Sequence, residues 1–180
     1  MKRVWLGFAA VLLLLSPARA QQAPSPEANP VSNALRRLVE TEGRNTVGAA
    51  QTMPADKYSF RPTPPQRSFA QLVAHITGMN YRLCSTISGA DMPKTDLPKE
   101  TDPKDTLVAG LKASFDYCTQ TLAAVDDSKL GENVPFFGGR TASRGAVMMT
   151  FAEEFGDHYS TAAMYLRLNG LLPPTAQPRM

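Results

Sequence analysis

Apolar residues recur at helical spacing in four separate stretches, and polar, proline-bearing segments lie between them. In the first stretch, from Val31 to about Met53, Val31, Leu35, Leu38, Val39 and Val47 fall near one face. Arg36, Arg37, Glu40 and Glu42 supply a wet face. Gly43 and Gly48 weaken helix propensity there. Met53-Pro54 closes the stretch, because a residue before proline avoids the α region. Tyr58 to Pro65 carries three prolines and reads as a loop. A second helix is predicted from Ser68, since Ser68 and Gln71 have the spacing of a capping box. Phe69, Leu72, Val73, Ile76, Met79, Asn80, Leu83 and Ile87 line one face of it, and Gly89 is a suitable terminator.

Asp91 to Asp102 is polar and contains proline. It is long beside the roughly 2–8 residues usual between bundle helices, so the chain is expected to cross the bundle there. Asp102-Pro103 is expected to open the third helix as N-cap and first-turn proline. Leu107, Leu111, Phe115, Cys118 and Leu122 form its stripe. Asp126 to Arg140 reads as irregular, with Phe136-Phe137 as a hydrophobic clip and Gly138-Gly139 as a turn. The last helix is predicted from about Ser143 to Asn169, with Gly170 and Pro173-Pro174 preventing continuation. Strand signals are almost absent. Four helices with one apolar face each predict an all-α protein, a four-helix bundle.

The N-terminus has a different character. Lys2 and Arg3 precede an apolar run from Val4 to Leu15, and Ala18 and Ala20 sit where a signal peptidase reads. Residues 1–20 are thus expected to be a signal peptide, the run being short of the ~20 residues of a membrane span. No cysteine follows it for lipid attachment. Residues 21–30 are polar and proline-rich and read as a flexible arm, leaving 31–175 as one domain. The whole chain has 19 Lys+Arg against 16 Asp+Glu. Cleavage removes Lys2, Arg3 and Arg19 and no acid, so the mature chain is formally neutral. With no basic stripe bearing aromatics, nucleic-acid binding has no support. The expected location is periplasmic or secreted, with no membrane association after cleavage.

That compartment changes the reading of the two cysteines, Cys84 and Cys118. In oxidising surroundings they are a candidate disulfide; the alternative is a pair of unpaired core thiols. They lie at similar heights in the second and third helices, which lets them meet only if those helices run parallel.

The two histidines are the other candidate chemistry. His158 lies in the centre of the stripe Val147, Phe151, Phe155, Ala162 and Tyr165, with Glu154 one turn earlier on nearly the same side. His75 lies at the edge of its own stripe, beside Leu72 and Met79. Bundle cores place His and Glu ligands from facing helices in this way. His75, Glu154 and His158 together suit a divalent metal ion, Zn, Ni, Fe or Mn, with positions left for water or substrate. The alternative is structural: a His and a Glu one turn apart also form a simple hydrogen bond. Asp157 is a fallback ligand; Tyr165 either reaches a ligand or is a core aromatic. Tyr159 lies near the histidine in sequence, and Arg167 is expected at the surface.

Met53-Pro54-Ala55-Asp56-Lys57-Tyr58-Ser59-Phe60-Arg61-Pro62 followed by Ser68-Phe69-Ala70-Gln71-Leu72-Val73-Ala74-His75-Ile76 resembles the first half of a DinB-family domain. Asp157-His158-Tyr159, with Tyr165-Leu166-Arg167-Leu168-Asn169-Gly170 and Pro173-Pro174, resembles its closing helix. The resemblance implies an up-down-down-up bundle whose second and third helices are parallel, joined by a long crossover. It also implies a divalent metal on three histidines, one on the second helix and two on the fourth at i, i+4. His75 and His158 match two of them, and Glu154 stands in the place of the third. Characterised relatives include transferases and isomerases that use cytosolic thiols, which an exported chain would not ordinarily meet, so that activity is not carried over. The leading expectation is an exported DinB-like metal-binding protein, a metal-dependent hydrolase or transferase acting on an unidentified small molecule. The alternatives are a metal-free bundle that binds a small ligand or partner, and a homodimer joined through the first and last helices.

Overall fold

The computed structural model describes residues 25–178. The expected signal peptide, 1–20, and the start of the arm lie outside the described residues. Four helices carry the fold: α1 (Pro30–Thr52), α2 (Phe69–Ser88), α3 (Lys104–Leu122) and α4 (Arg144–Leu168). None of the described helices is long and apolar enough to cross a membrane.

The helix ends show which local signals acted. Helix α1 starts one residue before the apolar pattern does, with Pro30 in its first turn, where a missing N–H costs nothing. The end of the expected arm is tied to α1, since Glu27 Oε1 accepts from Asn33 Nδ2 at 2.9 Å and Arg37 Nη1 at 3.0 Å. At α2 the capping box forms: Ser68 Oγ accepts from Gln71 N at 3.2 Å, and Gln71 Oε1 accepts from Ser68 N at 2.8 Å. Gly89 ends α2 in the left-handed region at φ 78°. The expected cap of α3 is not made. Asp102 Oδ2 accepts from Lys99 N at 2.8 Å within the crossover, and Pro103 takes the N-cap position. Ser143 caps α4 by accepting from Ala146 N at 3.3 Å, and Gly170 follows its end at φ 74°.

One small element was not expected. β1 (Asn133–Pro135) and β2 (Thr141–Ser143) pair antiparallel, with Val134 opposite Ala142. Strands this short show no period-2 alternation in sequence. The expected Gly138-Gly139 turn joins them, with φ of 68° and 72°. Arg144, at the start of α4, fastens this irregular stretch to the bundle. It donates to the Ile87 carbonyl at the end of α2 and pairs with Glu132 Oε2 at 2.9 Å.

Contacts between helices give their directions. Arg36 Nη1 on α1 donates to Leu122 O at 2.9 Å at the far end of α3, and Gly43 faces Phe115, so α1 and α3 are antiparallel. Asn80 Nδ2 donates to Ser114 Oγ at 3.0 Å, and Cys84 is bonded to Cys118 one turn further along both helices. The two pairs advance together, so α2 and α3 are parallel. Arg67 O meets the Tyr165 hydroxyl at one end and Ile87 O meets Arg144 at the other, so α2 and α4 are antiparallel. The order is up-down-down-up. Phe69, Ile76, Leu107, Leu111, Phe151 and Leu166 are among the residues buried at its centre.

The crossover between α2 and α3 lies close on α3. A Cβ on Gly110 would stand 2.7 Å from Pro98 Cγ. Gly110→Ala is therefore expected to lower stability by about 1–3 kcal/mol by forcing the crossover outward. Urea unfolding measures this, and an unchanged midpoint would mean that Pro98 yields freely.

Candidate metal centre

The antiparallel pairing of α2 and α4 brings the two histidines together. On α2, Leu72, Val73 and Ile76 point into the core and His75 lies half-buried at their edge. On α4, Val147, Phe151, Phe155 and Ala162 are buried, and His158 is 6% exposed on the same stripe. Glu154 lies one turn before it and is partly exposed. The two rings meet edge to face, with centroids 5.2 Å apart. Glu154 Oε2 is 3.1 Å from His158 Nε2. One ligand atom from each of His75, Glu154 and His158 lies within 4.8 Å of the other two.

Burial sets the charge states. It pushes His158 down to about 4, helped by the neighbouring His75 ring and by Arg67, against an opposing pull from Asp157. Burial likewise lowers His75, and Arg67 adds to the effect. Glu154 is raised, first by burial and then by Asp157 and Glu153. Both rings are thus neutral at pH 7, and the close Glu154–His158 approach is not an ion pair. Neutral imidazoles present lone pairs, and a carboxylate among them would be favoured by a cation. The donor set fits a borderline divalent ion. Ligand atoms around a four-coordinate zinc ion lie about 3.3 Å apart, from bonds of about 2.0 Å. Small side-chain movements would close this cluster to that spacing.

The same shifts predict how acid affects the metal-free protein. A buried His158 with a lowered value stabilises the fold fully above the unfolded value of 6.5, and this is lost as pH falls toward 4. His75 acts in the same direction. Glu154, being raised, acts oppositely and offsets part of the loss at the acid end. Between pH 7 and pH 5 in EDTA, His158 is expected to cost about 2 kcal/mol of stability. Urea midpoints at the two pH values, compared with those of His158→Gln, check it. A pH slope unchanged by that substitution would refute the assignment.

Two clefts flank the donors. One, of about 520 Å³, runs past His158 between Leu72, Asp157 and Tyr165. The other, of about 440 Å³, runs past His75 between Arg61, Gln71 and Glu100. Pro65, Gln66 and Arg67 border both. Asp157, the fallback ligand, stands on a cleft wall. The Tyr165 hydroxyl is already engaged, donating to Arg67 O at 2.8 Å, so Tyr165 is a core aromatic that holds a loop. Tyr159 turns elsewhere, its hydroxyl 2.8 Å from Thr175 Oγ1, and Arg167 is exposed as expected. Cys84 and Cys118 form a disulfide with Cα atoms 5.2 Å apart. Arg67 had no signal in the sequence. It precedes a helix cap inside a polar loop, and only the packing of that loop against α4 brings it to the site.

The model of the DinB superfamily matches residues 37–162. The chain belongs to the DinB superfamily. Its fold is that of solved DinB-like structures. One from Bacillus subtilis is 21% identical, with TM-score 0.65, over 82% of this chain and 100% of the other. One from Bacillus cereus is 16% identical, with TM-score 0.63, over 79% and 95%. A conserved protein from Enterococcus faecalis is 16% identical, with TM-score 0.61, over 77% and 96%. At these identities the likeness is one of fold. No curated protein matches the chain significantly. Within this DinB bundle, Glu154 occupies the place where the resemblance implies a histidine, and its carboxyl group reaches the same cluster.

Proposed function

We propose that this DinB-superfamily protein is an exported metal-binding protein in which His75, Glu154 and His158 hold one divalent ion. We further propose that the ion serves a hydrolase or transferase reaction. The observation that carries the proposal is the convergence of three donor atoms within 4.8 Å from two helices remote in sequence. Two imidazoles and a carboxylate suit Zn, Ni, Fe or Mn. Such an ion polarises carbonyl or phosphoryl oxygens and makes water acidic near neutral pH. The chain's own contribution is positional. Burial keeps both rings neutral and ready to bind, α2 and α4 fix their separation, and the flanking clefts give a small molecule access. Export rests on the residue order of the N-terminus, and a Cys84–Cys118 bridge accords with an oxidising compartment.

Metal analysis of full-length protein, purified from its native compartment without a chelating tag, is the test. About one equivalent of metal is expected, with a mature N-terminus at Gln21. Protein that remains metal-free after incubation with each of the four ions would remove the metal reading. A metal-free ligand-binding bundle is the second reading, favoured by the 3.1 Å approach of Glu154 to His158, which already supplies each with a neighbour. A melting temperature indifferent to EDTA would select it.

A further inference from the structure

The backbone of Arg67 is held in place, and its exposed side chain stands at the junction of the two clefts. The buried Tyr165 hydroxyl holds its carbonyl at 2.8 Å. The next residue, Ser68, caps α2. The loop before it is stitched to the first turn of α2, with Phe69 N donating to Phe60 O at 2.9 Å and Ala70 N to Tyr58 O at 2.8 Å. Pro62, Pro64 and Pro65 restrict the loop further. Among the described residues, the guanidinium of Arg67 has no ion pair. It borders both the cleft that runs past His158 and the cleft that runs past His75. Arg61 lines the cleft beside it, held only by long contacts of 3.4 Å to Pro64 O and 3.5 Å to Gln71 Oε1.

We propose that Arg67, with Arg61 beside it, forms an anion-binding subsite of the metal centre and selects substrates bearing a carboxylate or phosphate group. This rests on His75, Glu154 and His158 holding an ion. The surrounding field does not supply the preference, because Asp157 and Glu100 stand on the cleft walls and Glu153 is near. Selectivity must come from direct contact with the guanidinium, whose planar fork matches two oxygens of one anion. An oxyanion placed between Arg67 and the ion would have its other end in one of the clefts.

The test uses the full mature chain loaded with one equivalent of Co²⁺, whose visible spectrum reports both metal uptake and changes around the ion. Methylphosphonate and acetate are titrated separately, and affinities are taken by calorimetry and from the spectrum. At least one of the two is expected to bind and to perturb the spectrum, and the tighter one identifies the anion class. Arg67→Gln is expected to weaken that binding about tenfold or more. Arg67→Lys is expected to lose most of it, since the charge remains without the fork. Tyr165→Phe, which removes the hydroxyl that holds the Arg67 carbonyl, is expected to weaken it severalfold, and all three variants are expected still to take up one equivalent of Co²⁺. Circular dichroism verifies that each variant is folded. Failure of both anions to bind the cobalt-loaded wild type, or equal affinity in Arg67→Gln, overturns the subsite while leaving the metal centre standing. Failure of the wild type to take up Co²⁺ or any of Zn²⁺, Ni²⁺, Fe²⁺ and Mn²⁺ overturns both, and the spectrum and metal analysis show this before any anion is added.

Discussion

His158→Ala is expected to abolish stoichiometric metal binding while leaving the helical bundle folded. His158 is the most enclosed of the three donors, with its side chain 7% exposed against 32% for Glu154. Glu154 on the same helix and His75 on α2 both approach it, so its removal leaves two donors that no longer share a neighbour. Loss of an outer-shell partner commonly costs 10–100-fold in metal affinity, so loss of a direct ligand should exceed about 100-fold. The effect is also visible as heat stability. An ion present at 100 times its dissociation constant adds about 2.7 kcal/mol, which for a chain of this size raises the melting temperature by about 5–10 °C. Wild-type protein is expected to show that rise on addition of metal, and His158→Ala to show none. Plasma emission spectrometry of both proteins supplies the direct count. Equal metal content in the two would refute the centre. Glu154→His provides a contrast: with a third imidazole in place, binding should persist.

Replacing both Cys84 and Cys118 with alanine is expected to cost about 4 kcal/mol. The bridge spans 34 residues, and the loop-closure entropy removed from the unfolded chain is worth about 3–4 kcal/mol. Loss of the buried sulfurs, both 0% exposed, adds a packing cost. A fall of about 10 °C in melting temperature should follow. The bridge ties the two parallel helices near their C-terminal ends, at the far end of α2 from His75, so metal content should survive in the folded variant. Alkylation under denaturing conditions should find no free thiol in wild-type protein taken from an oxidising compartment. A double variant less than about 1 kcal/mol weaker than wild type would contradict the assigned stabilisation.

Much of this protein is decided locally. The four helices follow from apolar residues repeating with the helical period. Their ends follow from residues whose effect reaches only three or four positions: Ser68 with Gln71, Gly89, Ser143 and Gly170. The candidate donors were legible for the same reason, since Glu154 and His158 one turn apart share a face wherever the helix packs, and His75 borders an apolar stripe. Where two local signals competed, sequence misplaced the detail. Asp102 had both the α3 terminus and Lys99 N within reach and bonded the latter.

Tertiary structure alone decided which remote residues meet. The Tyr165 hydroxyl found the Arg67 carbonyl, which engaged that hydroxyl and held the backbone of a cationic residue beside the cleft. The β1–β2 pair depends on Val134 and Ala142 facing each other across a glycine turn, in strands too short to leave a pattern. The Arg144–Ile87 and Pro98–Gly110 contacts likewise join segments far apart in sequence. A period along the chain specifies which side of a helix is buried. It carries no record of which other helix lies there, or at what height, and that relative placement is what turned two distant histidines and a glutamate into one cluster.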